Sequence, residues 1–357
     1  MEFKSNQTIA SQIADFVKRE IFSGRYEPGQ KVPPIREFAA FCCVNPNTVV
    51  RAAGSGAAHL HGQHAGEVRQ PRQGGDRRGA GEVPHASDGG ISGGIGAVRR
   101  RQGRVHESGG RRVERKRERG EKMSERDGEG TEKKELFGCA DVVKWFGRKL
   151  VLDGARFLVP YGGVAGIFGL NGSGKTTLLR ILAGLDRDFE GELSKTDFED
   201  VAYMATEGGF PFGMSVRDAV NFYAAFLPRL DADAIFRDAR EAGIRPRQSV
   251  IGMSSGMKQY LKFLLTAYSG ARVCLFDEPL SNLDVNLRSK IVETLIMQCG
   301  GERLFIVTTH EIKEVETLID GFFILKDGRL SPYYSSEKVR ETTGNSVAEF
   351  YRRKVNE

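Results

Sequence analysis

The chain has 357 residues, with 53 Lys and Arg against 47 Asp and Glu for a formal net charge of +6, and room for a domain of ordinary size plus a smaller module. No apolar run approaches the roughly twenty residues a membrane-spanning helix needs, and the first segment is amphipathic and charged, unlike a cleavable leader. The cysteines (Cys42, Cys43, Cys139, Cys274, Cys299) follow no metal-binding spacing, which predicts reduced thiols of a cytosolic protein.

Ile9, Ile13, Phe16, Val17 and Ile21 follow helical spacing, with Lys18, Arg19 and Glu20 on the opposite, wet side. Gly24 and Pro28-Gly29 break the chain, and Pro34-Ile-Arg-Glu-Phe-Ala-Ala-Phe41 predicts a second, short helix. Asn45-Pro46 is a helix start, a cap followed by proline in the first turn, which Asn47-Thr48-Val-Val-Arg51 continues. Read from the residues alone this is a small helical bundle with a basic edge. The segment from about 8 to 53 also resembles a truncated winged helix-turn-helix of the GntR family of regulators, on the wording Pro-Pro-Ile-Arg-Glu-Phe and Val-Asn-Pro-Asn-Thr-Val. That resemblance implies DNA contacts at Arg36, Asn47, Thr48 and Arg51, with the two arginines on phosphates rather than bases. Cys43 departs from it, standing where the family usually has glycine.

After Ala53 the resemblance stops mid-helix. Between Gly54 and Gly120 there is no Phe, Tyr or Trp, Leu60 is the only leucine, and the basic residues are nearly all arginine. Such a stretch cannot bury enough apolar surface to offset the entropy of ordering, so 54–134 is expected as a disordered Arg/Gly-rich linker. Three readings of it stay open: a nucleic-acid tether acting by charge, a solvated spacer, or GC-rich coding sequence read out of frame. The third accounts for a recognition helix broken mid-turn and for arginine with so little lysine. It would make Met123, preceded by Arg119-Gly120-Glu121, the true start of the C-terminal domain.

Beyond it, Val164-Ala-Gly-Ile-Phe168 is a buried strand by pattern and Thr177-Leu-Leu-Arg-Ile-Leu182 an amphipathic helix. Between them runs Gly169-Leu-Asn171-Gly172-Ser173-Gly174-Lys175-Thr176-Thr177, a complete phosphate-binding loop. Its glycines let backbone N–H groups turn onto phosphate oxygens at the positive end of the helix. Lys175 is placed for the β/γ-phosphates and Thr176 for Mg²⁺. Downstream, Arg272-Val-Cys-Leu-Phe276 predicts a buried strand ending in Asp277-Glu278. Asp277 then suits Mg²⁺, and Glu278 suits an attacking water. Leu304 to Thr309 predicts a third buried strand closed by His310, in reach of a γ-phosphate.

These residues together resemble the ATP-binding subunit of an ABC transporter, over about 136–330. Met253-Ser254-Ser255-Gly256-Met257 matches the family signature, Ser281-Asn282-Leu283-Asp284 the D-loop, and Lys144-Trp145-Phe146-Gly147 the aromatic segment that stacks on adenine, with Phe146 the preferred ring. The signature departs at Ser255 and Met257 and keeps Ser254 and Gly256. No glutamine stands at the Q-loop position near Tyr203-Met-Ala-Thr206-Glu207, so Glu207, or Thr206, has to supply the metal contact. The resemblance implies an α/β P-loop NTPase fold, a mixed-sheet core at 135–335 with a helical subdomain near 207–268, and a C-terminal tail at 336–357. It further implies ATP and Mg²⁺, bound by Phe146, the loop residues, and Ser254, Ser255, Gly256 and Asp284, the last group serving a second ATPase subunit.

By the same resemblance two such subunits, alike or different, pair head-to-tail. They serve separate integral membrane permease subunits from the cytoplasmic face, where Phe210 and Phe212 are candidate docking aromatics. Two other classes remain: an ATP-responsive DNA-binding regulator, which requires an intact N-terminal module, and a soluble ABC ATPase outside transport. Intact-mass analysis of the product from its native host decides first whether the N-terminal module is part of the protein. A species near 39.4 kDa is expected if the N-terminal segment is genuine, and one beginning at Met123 if it is out of frame.

Overall fold

In the computed structural model the described residues are 3–5, 7–22, 35–52, 136–194, 196, 200–207, 209–211, 213–299 and 301–357. The expected linker at 54–134, with Met123, and Phe212 lie outside them. The N-terminal helices form where the sequence predicts: α1 (Ile9–Phe22), α2 (Ile35–Cys42) and α3 (Pro46–Ala52). Ile9, Ile13, Ala14 and Val17 of α1 are buried, as the i, i+4 spacing requires. Phe16, Phe38 and Phe41 form a ring cluster with centroids 6.3–6.5 Å apart.

The strands β1 (Leu136–Phe146) and β2 (Lys149–Pro160) pair as an antiparallel hairpin. The strand β4 (Glu190–Leu193) adds to β1 and completes a three-stranded sheet. Between β2 and β4 the chain enters β3 (Val164–Phe168), buried at every position, and then the helix α4 (Lys175–Leu182).

β3 is a middle strand of a seven-stranded sheet whose other members are β5 (Val201–Met204), β6 (Val273–Asp277), β7 (Leu304–Thr309), β8 (Gly321–Lys326), β9 (Arg329–Leu330) and β10 (Tyr334–Ser335). The order is β10-β8-β3-β7-β6-β5; β3, β5, β6, β7 and β8 are parallel, while β9 and β10 pair antiparallel with β8. This is the mixed-sheet core the sequence implies. Continuous apolar runs form it because a parallel sheet is covered on both faces. Ala165, Ile167, Leu275, Ile306 and Phe323 face one core, shared with the β1–β2 hairpin and α4. Val164, Phe168, Phe276, Phe305 and Phe322 face the other, shared with the later helices and with α1–α3.

Those later helices begin with α5 (Val216–Phe226), α6 (Ala232–Glu241) and α7 (Ser255–Ala267), in the span expected for a helical subdomain. Each starts on a capped residue: Ser215 with a capping box, Asp231, and Ser254. The helix α8 (Val285–Gln298) comes next, then α9 (Ile312–Val315). The segment expected as a tail forms two helices, α10 (Ser336–Thr343) and α11 (Val347–Asn356). Phe350 and Tyr351 of α11 rest against Phe322 and Phe168, so this segment closes one face of the sheet.

All five cysteines are free thiols, and only Cys43 is exposed. Burial pushes the Cys42 thiol up to about 11 and those of Cys139 and Cys299 up to about 12, and raises Cys274 as well. Buried neutral thiols react slowly with disulfide reagents. One thiol is therefore expected to react with a chromogenic disulfide in the folded protein, and five in denaturant. Rapid labelling of a second thiol in the native state would contradict this packing.

Candidate active site

The register of the parallel strands places four chain ends side by side. Phe168 of β3 lies opposite Thr309 of β7, Thr308 opposite Asp277 of β6, and Phe276 opposite Met204 of β5. The segments after these strands carry the phosphate loop, Glu278, His310 and Thr206, all at the carboxyl edge where open α/β sheets bind ligands.

The loop permits little besides glycine. A Cβ on Gly169 would meet the Leu325 carbonyl oxygen at 2.5 Å and the Ser173 hydroxyl at 2.6 Å. Gly174 caps α4 with φ near +107° and no side-chain hydrogen bond, a conformation open to glycine and strained for other residues. The first-turn N–H groups of α4 are left to a ligand, and the Ser173 hydroxyl oxygen is buried without a protein partner. A phosphate group supplies what both lack, so the cradle fits the nucleotide. Asn171, Gly172 and Thr176 are exposed on the rim and Thr177 is half-buried. Lys175 is buried, donating from Nζ to the carbonyl oxygens of Gly169 (2.8 Å) and Leu170 (3.2 Å), and stands 3.5 Å from Glu278 Oε1.

Asp277 is fully buried. Thr308 donates to its Oδ1 at 2.8 Å and Tyr203 to its Oδ2 at 3.4 Å. Burial first, and then the Asp277 charge, raise the Tyr203 hydroxyl, which keeps it a donor. Thr206 donates to the Asp277 main-chain oxygen at 3.1 Å. Of the two Q-loop candidates Thr206 makes this bond to Asp277, and both Thr206 and Glu207 are exposed. Thr176 and Asp277 are oxygen donors that suit Mg²⁺ when phosphate and water complete its shell. Among the described residues no group of three or more His, Cys, Asp or Glu could hold a metal alone.

Glu278 adopts a left-handed backbone, φ near +49°. Its N–H donates to the Thr308 carbonyl (3.1 Å) and hydroxyl (3.2 Å) oxygens, and its carbonyl accepts from Gln259 (3.1 Å) and Ser281 (2.9 Å). The surroundings over-determine a conformation that otherwise costs roughly 1–2 kcal/mol. Its carboxylate is thereby aimed at His310, with Oε2 2.9 Å from Nδ1 and 3.3 Å from the backbone N of His310.

The remaining candidates lie apart. Ser254 caps α7, accepting from Met257 N at 3.1 Å, with Ser255 exposed and Gly256 buried. Asp284 caps α8 through Leu287 N at 2.9 Å. Among the described residues no hydrogen bond joins these helix starts to the phosphate loop. Phe146 is 53% exposed at the end of β1 and Trp145 is 49% exposed beside it.

The four candidate DNA contacts are turned onto the rest of the chain. Arg36 donates to the Met297 carbonyl at 3.2 Å, and Thr48 is buried. Asn47 reaches the Gly162 carbonyl at 3.1 Å and the Asp320 carboxylate at 3.4 Å, and Arg51 pairs with Asp320 at 3.0 Å. Asn45 and the Val164 N–H also donate to Asp320, each at 3.0 Å. Sequence reasoning missed Asp320, Tyr203 and Thr308. A hydroxyl inside the otherwise apolar run 304–309 was the one available signal. On α5, Phe222 and Phe226 form an exposed i, i+4 pair with centroids 5.2 Å apart.

Strand ends arranged in this way define a phosphate-loop nucleotide hydrolase. The sequence model of the family described as ABC transporter matches residues 152–281. The aliphatic sulfonates import ATP-binding protein of Mycobacterium avium is 30% identical over 215 residues, 58% of this chain and 84% of that protein. An ABC transporter ATP-binding protein of Methanocaldococcus jannaschii is 28% identical over 206 residues, 56% of this chain and 77% of its own length. A solved ATP-binding subunit of an ABC transporter superposes with a TM-score of 0.54 at 22% identity, over 61% of this chain and 99% of the other. The chain belongs to the ABC transporter ATP-binding proteins and is an ATP-binding, ATP-hydrolysing transporter subunit.

Asp320 holds the buried donors, whereas the Arg51 side chain is 45% exposed. Asp320→Ala, which strands the Val164 N–H and takes one of two acceptors from the Asn45 amide, is expected to lower unfolding free energy by about 2–4 kcal/mol. Arg51→Ala is expected to cost below about 1 kcal/mol. Urea unfolding of both variants at neutral pH checks the order.

Proposed function

We propose that the hydrolysis of ATP to ADP and phosphate by this chain proceeds by in-line attack of water, with Glu278 as the general base. The observation that carries the assignment is the Glu278 carboxylate, fixed by a strained backbone between Lys175 (3.5 Å) and His310 (2.9 Å) at the edge of the loop. Glu278 takes the proton of the attacking water, while Lys175 and His310 meet the charge on the transferred group. Thr176 and Asp277 would hold Mg²⁺, which would supply positive charge to offset that of the phosphates. Thr308, Tyr203 and Thr206 keep Asp277 in place for that ion.

Ser254 and Gly256, at the start of α7, would meet the γ-phosphate of a second subunit paired head-to-tail. The permease subunits at the cytoplasmic face of the membrane would dock at the aromatic surface of Phe222 and Phe226, next to Phe210 and Tyr223. Among the described residues no helix is long and apolar enough to cross a membrane, so the pathway itself would belong to those partners. DNA has no part in this proposal, since Asn47, Thr48 and Arg51 are engaged at Asp320 or buried.

Glu278→Gln is expected to cut steady-state phosphate release by about 10²–10⁴-fold with ATP binding retained. Turnover at the wild-type rate in that variant would sink the assignment of the base.

A further inference from the structure

We propose that Lys144 is a positioning residue that holds the adenine-stacking ring of Phe146 at a fixed distance from the phosphate loop. The proposal rests on the reading of Phe146 as the adenine platform. Lys144 lies on β1 two residues before Phe146, and its side chain is only 3% exposed. A buried ammonium is costly unless paired, and this one has three oxygen partners: Asp186 Oδ1 at 2.9 Å, the Asp188 main-chain carbonyl, and Asp188 Oδ2 at 3.3 Å. The Asp188 carboxylate is 98% exposed, so its charge is screened and Asp186 is the principal anchor.

Asp186 belongs to the turn that ends α4. Its N–H donates to the Arg180 carbonyl at 3.2 Å, and its Oδ1 also accepts from the Asp188 N–H at 3.1 Å. The helix that presents its N-terminus to the triphosphate is thus joined, at its other end, to the lysine. The same Nζ sits 4.9 Å from the centroid of the Phe146 ring, within the range of a cation–π contact. One face of the ring is therefore covered by a buried cation, while the side chain as a whole remains about half exposed. Adenine has the other face to stack on. Among the described residues no such cation lies over Trp145, its neighbour in the strand, which favours Phe146 as the platform.

Without the contact the ring would sample other rotamers before each binding event. The penalty falls on ligands that carry a base and spares those that do not. Calorimetric titration of the full chain with ATP and with inorganic tripolyphosphate tests this, in the variants Phe146→Ala, Lys144→Met, Lys144→Arg and Asp186→Asn. Phe146→Ala is expected to weaken ATP about tenfold or more and to leave tripolyphosphate unchanged. Lys144→Met is expected to weaken ATP by about three- to tenfold, again with tripolyphosphate unchanged. Lys144→Arg should recover most of the loss, because a cation over the ring is restored.

Equal weakening of both ligands by Lys144→Met would make the lysine merely structural and overturn the proposal. So would unchanged ATP affinity in that variant while Phe146→Ala is impaired, with the reading of Phe146 left intact. If Phe146→Ala has no effect, that reading fails and takes the proposal with it. Should Lys144→Met not fold, Asp186→Asn decides: a loss confined to ATP supports the anchor, and unchanged or uniformly weakened binding refutes it.

Discussion

The parallel register of β3, β7 and β6 is the constraint on which the site depends. In this register Phe168 faces Thr309 and Thr308 faces Asp277, so the loop, the acid pair and the histidine leave the sheet at the same edge. A slip of one residue would exchange the two faces of a strand. Phe276 and Phe305 would then leave one core and Leu275 and Ile306 the other. Apolar packing on both faces thus fixes the placement of polar groups that contribute nothing to the core. The Thr308 hydroxyl, inside that packing, ties the β7 strand to the Asp277 carboxylate directly.

The polar edge is arranged at some cost to the fold. Glu278 keeps a left-handed backbone and a buried Oε1 that makes no hydrogen bond, and the Ser173 hydroxyl is buried without a partner. Lys175 is buried on loop carbonyls. Unsatisfied and strained groups of this kind beside a phosphate-binding loop mark the place where a ligand completes the structure.

The N-terminal helices share a core with the opposite face of the same sheet. Asp320 is the pivot of that contact, since it accepts from Asn45, Asn47, Arg51 and the N–H of Val164 at the head of β3. Burial raises its carboxyl, against the pull of those partners. The strand that delivers the phosphate loop and the N-terminal helices therefore meet on one side chain. In this arrangement Asn45, Asn47 and Arg51 are engaged by the protein itself.

What the sequence determined by itself was local. The phosphate loop needs only contiguous glycines, a lysine and a threonine between a strand and a helix, and the strands of the sheet were legible because each is a short apolar run with a polar end. The caps at Ser254 and Asp284 are equally local, each satisfied within three residues. What only the tertiary structure decided was which distant side chains meet. The Thr206 contact with Asp277 depends on β5 pairing beside β6, the cation beside the Phe146 ring on a lysine tied to Asp186, and the fate of Asn47 and Arg51 on Asp320, some 270 residues away in the chain. Periodicity reports which face of an element is buried; it carries no information about the partner that buries it.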